Sequence, residues 1–265
     1  MVTLSVESAV QSWPKRRMHH LFAADGKAVM VAMDHARLGN ARGLEDPVKA
    51  VGRVVAGGAD AILTTPGMAR ATAGALGGRG LIMALDSEGP IADYGVEMAL
   101  RFGADAVELK VFPGNPSESK LADLRRLAAK CADWGMPLLA EPIPVSFQET
   151  SAHTVENVAK AARAGAEAGA DFVKVHFVGS ADEYRQQVTG SCYVPVLVLG
   201  GAPSGEPKEA LRMAATAMEA GARGLVFGRH VITHERPDRM VAALAELVHG
   251  GATVDQAAKQ LNPAR

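Results

Sequence analysis

The sequence predicts an α/β protein, a single eight-stranded (β/α)8 barrel with a short N-terminal extension. Three observations predict it. Eight short runs are almost continuously apolar, as parallel strands covered on both faces must be. Ala-rich segments of helical character separate most of them, which gives an unbroken β-then-α order. Four of the runs also open alike: a helix-like stretch reaches a glycine, and an apolar β-type run follows. These four are GGADAIL from Gly57, FGADAVELK from Phe102, AGADFVKVH from Ala168 and AGARGLVFG from Ala220. Glycine directly after a helix is the expected left-handed C-cap.

In chain order, the first run is AVMVAMD from Ala28 and the second is GGADAIL. GLIMALD from Gly80 is the third, FGADAVELK the fourth and MPLLAEP from Met136 the fifth. AGADFVKVH is the sixth, VPVLVLGG from Val194 the seventh and AGARGLVFG the eighth. A doubly wound open sheet is the alternative, but no GxGxxG opens a helix after the first run. No linker or low-complexity stretch divides the chain, so residues 1–265 read as one barrel domain, with the barrel over about 28–250. Residues 1–25 read as the extension, and ATVDQAAKQLNPAR as a terminal helix and tail.

Composition narrows the function classes. The chain is 48% hydrophobic and 22% charged, with a formal net charge of -1. That balance offers no general attraction to nucleic acid or an anionic membrane. Aromatic residues make up only 5%, too few for stacking platforms along single-stranded nucleic acid. Cys131 and Cys192 are the only cysteines, with neither a CxxC spacing nor a disulfide framework, which suits a reducing cytoplasm. The N-terminal stretch lacks the apolar core of a signal peptide, and no segment approaches the ~18 apolar residues of a membrane span.

Barrel chemistry sits at the C-terminal ends of the strands. Those ends carry Asp34, Thr64 and Thr65, Asp86, Lys110, Glu141, Lys174, Gly200 with Gly201, and Gly228 with Arg229. Side chains alternate along a strand. Phe172, Lys174 and His176 therefore share the inner face, while Val173, Val175 and Phe177 face the helices. Glu108 and Lys110 point inward by the same rule. Two lysines and several carboxylates then converge on one cavity.

A lysine in low dielectric or beside another cation gives up its proton more readily than a free side chain of pKa ~10.4. The neutral amine attacks carbonyls and forms Schiff bases. The competing reading is a buried structural pair of Lys174 with Glu141 or Glu108. The glycines ending runs seven and eight let backbone N–H groups approach an oxyanion, and phosphate sites in such barrels commonly use these two loops. Arg229 adds a cation there. None of the histidines, His19, His20, His35, His153, His176, His230, His234 and His249, forms a strong zinc spacing. No metal and no cofactor is expected. His176 is the one histidine placed for the site. His230 and His234 read as part of a solvated helix face, and HERPDRM as a solvated helix start.

The motifs VAMDHARLGN, ILTTPGMAR, DFVKVHFVGS, VPVLVLGGAPSG and GLVFGRHVITHERP, in this order, resemble the class I (Schiff-base) aldolase superfamily. That superfamily includes deoxyribose-phosphate aldolase and the archaeal-type fructose-bisphosphate aldolases. The resemblance runs from Val29 to about Leu247. It implies that Lys174 is the Schiff-base lysine and that Asp34 handles substrate hydroxyls or protons. It assigns Gly200, Gly201, Gly228 and Arg229 to phosphate binding. One departure stands out: the fructose-bisphosphate branch carries a Tyr where this chain has Ile143. A strand-four lysine with a strand-five EP looks instead like the tagatose-bisphosphate and sulfofructose-phosphate aldolases, which makes Lys110 and Glu141 the replacement proton-transfer pair. His176 and Asp86 are expected at the substrate, and Thr64, Thr65 and Arg70 to help select it.

The resulting expectation is a cytoplasmic homo-oligomer that cleaves a phosphorylated ketose. A transaldolase- or thiolase-like transferase on the same scaffold is the alternative. A non-catalytic phosphosugar-binding protein is a third reading, against which Lys174 argues.

Overall fold

A computed structural model describes residues 15–35, 42–85, 91–117, 119–201 and 205–262. Eight parallel strands close into a barrel in sequence order. They are β1 (Ala28–Ala32), β2 (Ala61–Thr64), β3 (Gly80–Leu85), β4 (Ala106–Val111), β5 (Leu138–Pro142), β6 (Phe172–His176), β7 (Val196–Leu199) and β8 (Gly224–Phe227). Each falls on one of the eight expected runs, with β2 and β4 reaching one residue past theirs, to Thr64 and Val111. β8 returns to β1 with Ala28 opposite Gly224, which leaves no sheet edge open.

The principal helices between strands are α1 (Pro47–Ala56), α2 (Pro66–Thr72), α3 (Ile91–Arg101), α4 (Leu121–Asp133), α5 (Val155–Glu167), α6 (Ala181–Tyr184) and α7 (Pro207–Glu219). After β8 come α8 (Arg229–Ile232), α9 (Pro237–Val248) and α10 (Val254–Ala258). Their starts are written locally. Proline stands at the start of α1, α2, α7 and α9, where its missing N–H is not needed. Asp46 and Thr154 cap α1 and α5, accepting from Lys49 and Asn157 N–H. HERPDRM does contain a helix start, because α9 begins at Pro237, but Pro237 and Met240 are buried under it. Among the described residues no helix is long and apolar enough to cross a membrane.

Strand alternation divides the apolar side chains into two layers. Val29, Val31, Ile62, Leu81, Met83, Val107, Leu109, Val173, Val175 and Leu225 pack outward against the helices. Ala28, Met30, Ala61, Leu63, Ile82, Ala106, Leu139, Phe172, Leu197 and Val226 fill the barrel interior. The interior cluster also takes in Met18, Leu21 and Phe22 from the N-terminal extension. That segment makes a 3-10 turn over Arg16–His20 and plugs the barrel floor. Phe22 meets Phe172 edge to face, with ring centroids 5.6 Å apart.

The recurring glycine motif has a two-part cause. Gly58, Gly103, Gly169 and Gly221 all have positive φ, between 73° and 105°, which turns the chain from helix into strand at no Cβ penalty. In three repeats the aspartate that follows locks onto the preceding strand. Asp60, Asp105 and Asp171 accept the N–H of Val29, Leu81 and Leu138 at 2.7, 3.0 and 2.7 Å. Each also bonds a cationic or imidazole side chain from a terminal segment: His249, His20 and Lys15 respectively. These carboxylates hold the floor of the barrel together and leave the opposite rim for chemistry.

Candidate active site

The inward residues above the apolar interior are charged. Asp34 follows β1, Glu108 and Lys110 stand on β4, Glu141 on β5 and Lys174 on β6. Glu108 is wholly inaccessible, and Glu141, Lys174 and Asp34 are nearly so. Register sets Lys110 directly beside Glu141 on the neighbouring strand. The Lys174 ammonium lies 2.9 Å from Glu141 Oε1. Lys110 lies 3.5 Å from Glu141 Oε2, 2.8 Å from Asp34 Oδ2 and 3.1 Å from Glu108 Oε1. Two lysines thus share three carboxylates, with Glu141 between the lysines.

Electrostatics separates the roles of these groups. Burial works against the charge on Lys110, but Glu108, Glu141 and Asp34 outweigh it and raise its pKa, so Lys110 is a fixed cation. Burial likewise works against the Glu141 carboxylate, yet Lys174 and Lys110 hold its pKa below the ordinary value. Burial pushes Glu108 the other way, up to about 8, because Lys110 and, more weakly, Lys174 compensate it incompletely and Glu141 adds repulsion.

His176 is on the inner face two residues beyond Lys174, as alternation requires. It stacks on His153, with ring centroids 4.4 Å apart, and meets Phe147 edge to face at 6.3 Å. Burial, then His153, lowers its pKa to about 4, which leaves a neutral imidazole near pH 7. Its buried Nδ1 has no hydrogen-bond partner among the described residues. Phe112 adjoins Phe147 in turn, so the aromatic contacts run on from His176.

The loops after β7 and β8 meet through His230 and Gly200. Gly201 has φ +67°, and a Cβ on Gly228 would come within 2.8 Å of the Ala32 carbonyl oxygen. Both glycines therefore have backbone reasons to be there as well. Arg229 opens α8 and bears electrostatically on His35 and His230. His230 is not on a solvated face. Its Nε2 bonds the Gly200 carbonyl at 2.8 Å and its ring lies against Phe227, tying the two glycine loops together. Its four-residue spacing to His234 concealed this, because the partner lies 30 residues away.

Thr64 shares the outward face of Ile62, and its hydroxyl donates to the Met33 carbonyl at 3.3 Å. Thr65 stands one residue past β2, at the N-cap position of α2. Ile143 is fully buried, so an apolar packing residue occupies this place. Asp86 lies outside the described residues. His35, Glu108, His153 and Phe147 join the site without having been assigned to it from sequence. The inward position of Glu108 was readable by alternation, whereas His153 and Phe147 sit in an irregular loop that carries no periodic signal. Among the described residues no group of three or more His, Cys, Asp or Glu side chains is placed to hold a metal ion.

A closed parallel barrel with a buried lysine–carboxylate network at the C-terminal rim of its strands defines a (β/α)8 barrel protein of the enzyme type. The chain belongs to the DeoC/LacD family of aldolases, whose model matches residues 28–234. An uncharacterized aldolase of Saccharolobus solfataricus is 33% identical, over 92% of this chain and 97% of that protein. A 2-amino-3,7-dideoxy-D-threo-hept-6-ulosonate synthase of Halobacterium salinarum is 33% identical, over 89% of this chain and 91% of the synthase. An archaeal fructose 1,6-bisphosphate aldolase structure superposes with a TM-score of 0.78 at 27% identity, covering 89% of this chain and 98% of that one. A Schiff-base-forming fructose-1,6-bisphosphate aldolase superposes at 0.77 with 28% identity, covering 88% and 98%.

Proposed function

We propose that this protein is a class I aldolase that reversibly cleaves a phosphorylated ketose through a Schiff base on Lys174. The observation that carries the reading is the Lys174–Glu141 pair, 2.9 Å apart and buried on the inner barrel face beside the fixed cation Lys110. Glu141 is positioned to take the proton that Lys174 must lose. The free amine then attacks the ketone, and loss of water leaves an iminium. Glu141, or Asp34, accepts the proton of the hydroxyl beyond the scissile bond. The carbon–carbon bond breaks, its electron pair passes to the iminium as an enamine, and an aldehyde departs. Protonation of the enamine carbon and hydrolysis return the amine and release the second product. The Gly200–Gly201 and Gly228–Arg229 loops hold the phosphate and so place the carbonyl against Lys174.

The test is a panel of phosphorylated ketoses incubated with borohydride. A cognate ketose is expected to leave a covalent adduct on Lys174, and added chelator to leave turnover intact. An adduct confined to Lys110, or no adduct with any turned-over ketose, overturns the reading.

Arg229→Ala is expected to weaken binding of the phosphorylated substrate by roughly ten- to a hundredfold, the worth of one charge-assisted contact. A non-phosphorylated analogue should be nearly indifferent. Equal losses on both substrates, measured as Kd, would make Arg229 structural.

A transferase on the same chemistry is the second reading. It is favoured by the likeness to enzymes named synthases and by Ile143, which supplies no hydroxyl after β5. In that case an acceptor aldehyde captures the enamine in place of a proton. Acceleration of ketose consumption by added acceptor distinguishes it.

A further inference from the structure

We propose that Glu108 is held un-ionised in the resting site and donates a hydrogen bond to the Glu141 carboxylate, a positioning role that rests on the Schiff-base reading of Lys174.

Charge count is the first argument. The described side chains of this inner cluster comprise Asp34, Glu108 and Glu141 against Lys110 and Lys174, three acids for two ammonium groups. A barrel interior tolerates an uncompensated buried charge poorly. One of the acids is therefore the natural place for a proton.

Geometry selects which acid and what it does. Glu141 Oε2 is buried and accepts no hydrogen bond from any described donor as the ionised groups stand. Lys110 is 3.5 Å from that oxygen. Glu108 lies within hydrogen-bonding reach of Glu141, and two carboxylates can meet that closely only with a proton between them. Glu141 answers to two ammonium groups and stays ionised. Glu108 bonds Lys110, at 3.1 and 3.3 Å, and shares it with Asp34, while the attraction of Lys174 is smaller than the repulsion of Glu141. The neighbours of Glu108 across the sheet do not favour its charge. β3 sets Ala84 beside it, β5 sets Leu139 beside it, and Lys174 is already engaged with Glu141. The proton therefore sits on Glu108, and the O–H donates to the otherwise orphaned oxygen.

The consequence for the reaction is positional. Glu141 presents Oε1 to Lys174 while Glu108 pins Oε2 from below. Ionisation of Glu108 removes the donor and puts a second negative charge against Glu141, which swings the base away from the lysine. Cleavage then declines as pH rises through about 8, the value to which burial raises Glu108.

Glu108→Leu is expected to slow single-turnover cleavage by roughly ten- to a hundredfold, the loss of one hydrogen bond to a charged acceptor. Glu108→Gln should restore most of it, because the amide donates from the same place without a titrating proton, and should also abolish the alkaline decline. A structural role for Glu108 would move neither the pH profile nor the order of Leu and Gln. Infrared titration of the unaltered protein is the companion measurement. A carbonyl stretch of un-ionised carboxyl should persist at neutral pH, where ordinary carboxyls are ionised, and vanish above about 8. Its absence, a Gln variant as slow as Leu, or an alkaline limb unchanged in Gln overturns the proposal. Borohydride trapping on Lys174 of the unaltered protein reports the Schiff-base reading alone, so the infrared band and the adduct fail independently.

Discussion

Lys174→Met is expected to abolish carbon–carbon cleavage, with kcat falling roughly 10⁴- to 10⁶-fold, the range seen when a covalent nucleophile is removed. Methionine is unbranched like lysine, keeps most of its length and suits the inward residues of β6. What it removes is the amine and the 2.9 Å partner of Glu141 Oε1. Lys110, 3.5 Å from the other oxygen, still compensates the Glu141 charge, so the variant should fold and melt cooperatively. The borohydride adduct should disappear with the activity. Lys110 is the poorer nucleophile on physical grounds, since three carboxylates outweigh its burial and keep it protonated. A Lys174→Met protein that still forms the adduct on Lys110 would reverse the assignment of the two lysines.

Glu141→Gln should slow cleavage by at least ~10²-fold, the usual contribution of general acid–base catalysis. The substitution preserves size and removes the basic carboxylate. Schiff-base formation should survive because Lys174 remains, though it weakens as the iminium loses a neighbouring negative charge. Rapid borohydride trapping compared with single-turnover cleavage separates the two steps. If Glu141 only holds the lysines together, the variant should lower Tm while bound substrate is cleaved at a near-normal rate. That outcome would leave Asp34, 2.8 Å from Lys110, as the base.

These expectations began in the sequence, and the site was legible there to a definite depth. Alternation along β6 placed Lys174 and His176 on the inner face, and alternation along β4 placed Glu108 and Lys110 there. Both are period-2 statements about consecutive residues, and the backbone enforces them wherever a strand forms. The pairing of charges was only partly legible. Lys174 with Glu141 was one of several candidate pairs, and nothing local distinguishes it from Lys174 with Glu108. The same holds for His153, which meets His176 across an irregular loop, and for His230, whose bond to Gly200 runs between two different loops.

The sequence by itself determined the eight strands, their order around the barrel and the face each side chain takes. These follow from apolar runs, helix-ending glycines and the pleat, all set by neighbours along the chain. Only the tertiary structure decided that Lys110 serves Asp34, 76 residues away, as well as Glu108 and Glu141, and that Glu141 rather than Glu108 receives Lys174. It also decided that the aspartates of the repeats clasp the preceding strand. The reason is barrel closure. Register between strands brings together side chains that are far apart in sequence, and in a dry interior a contact of 3 Å rather than 6 Å decides which acid keeps its charge.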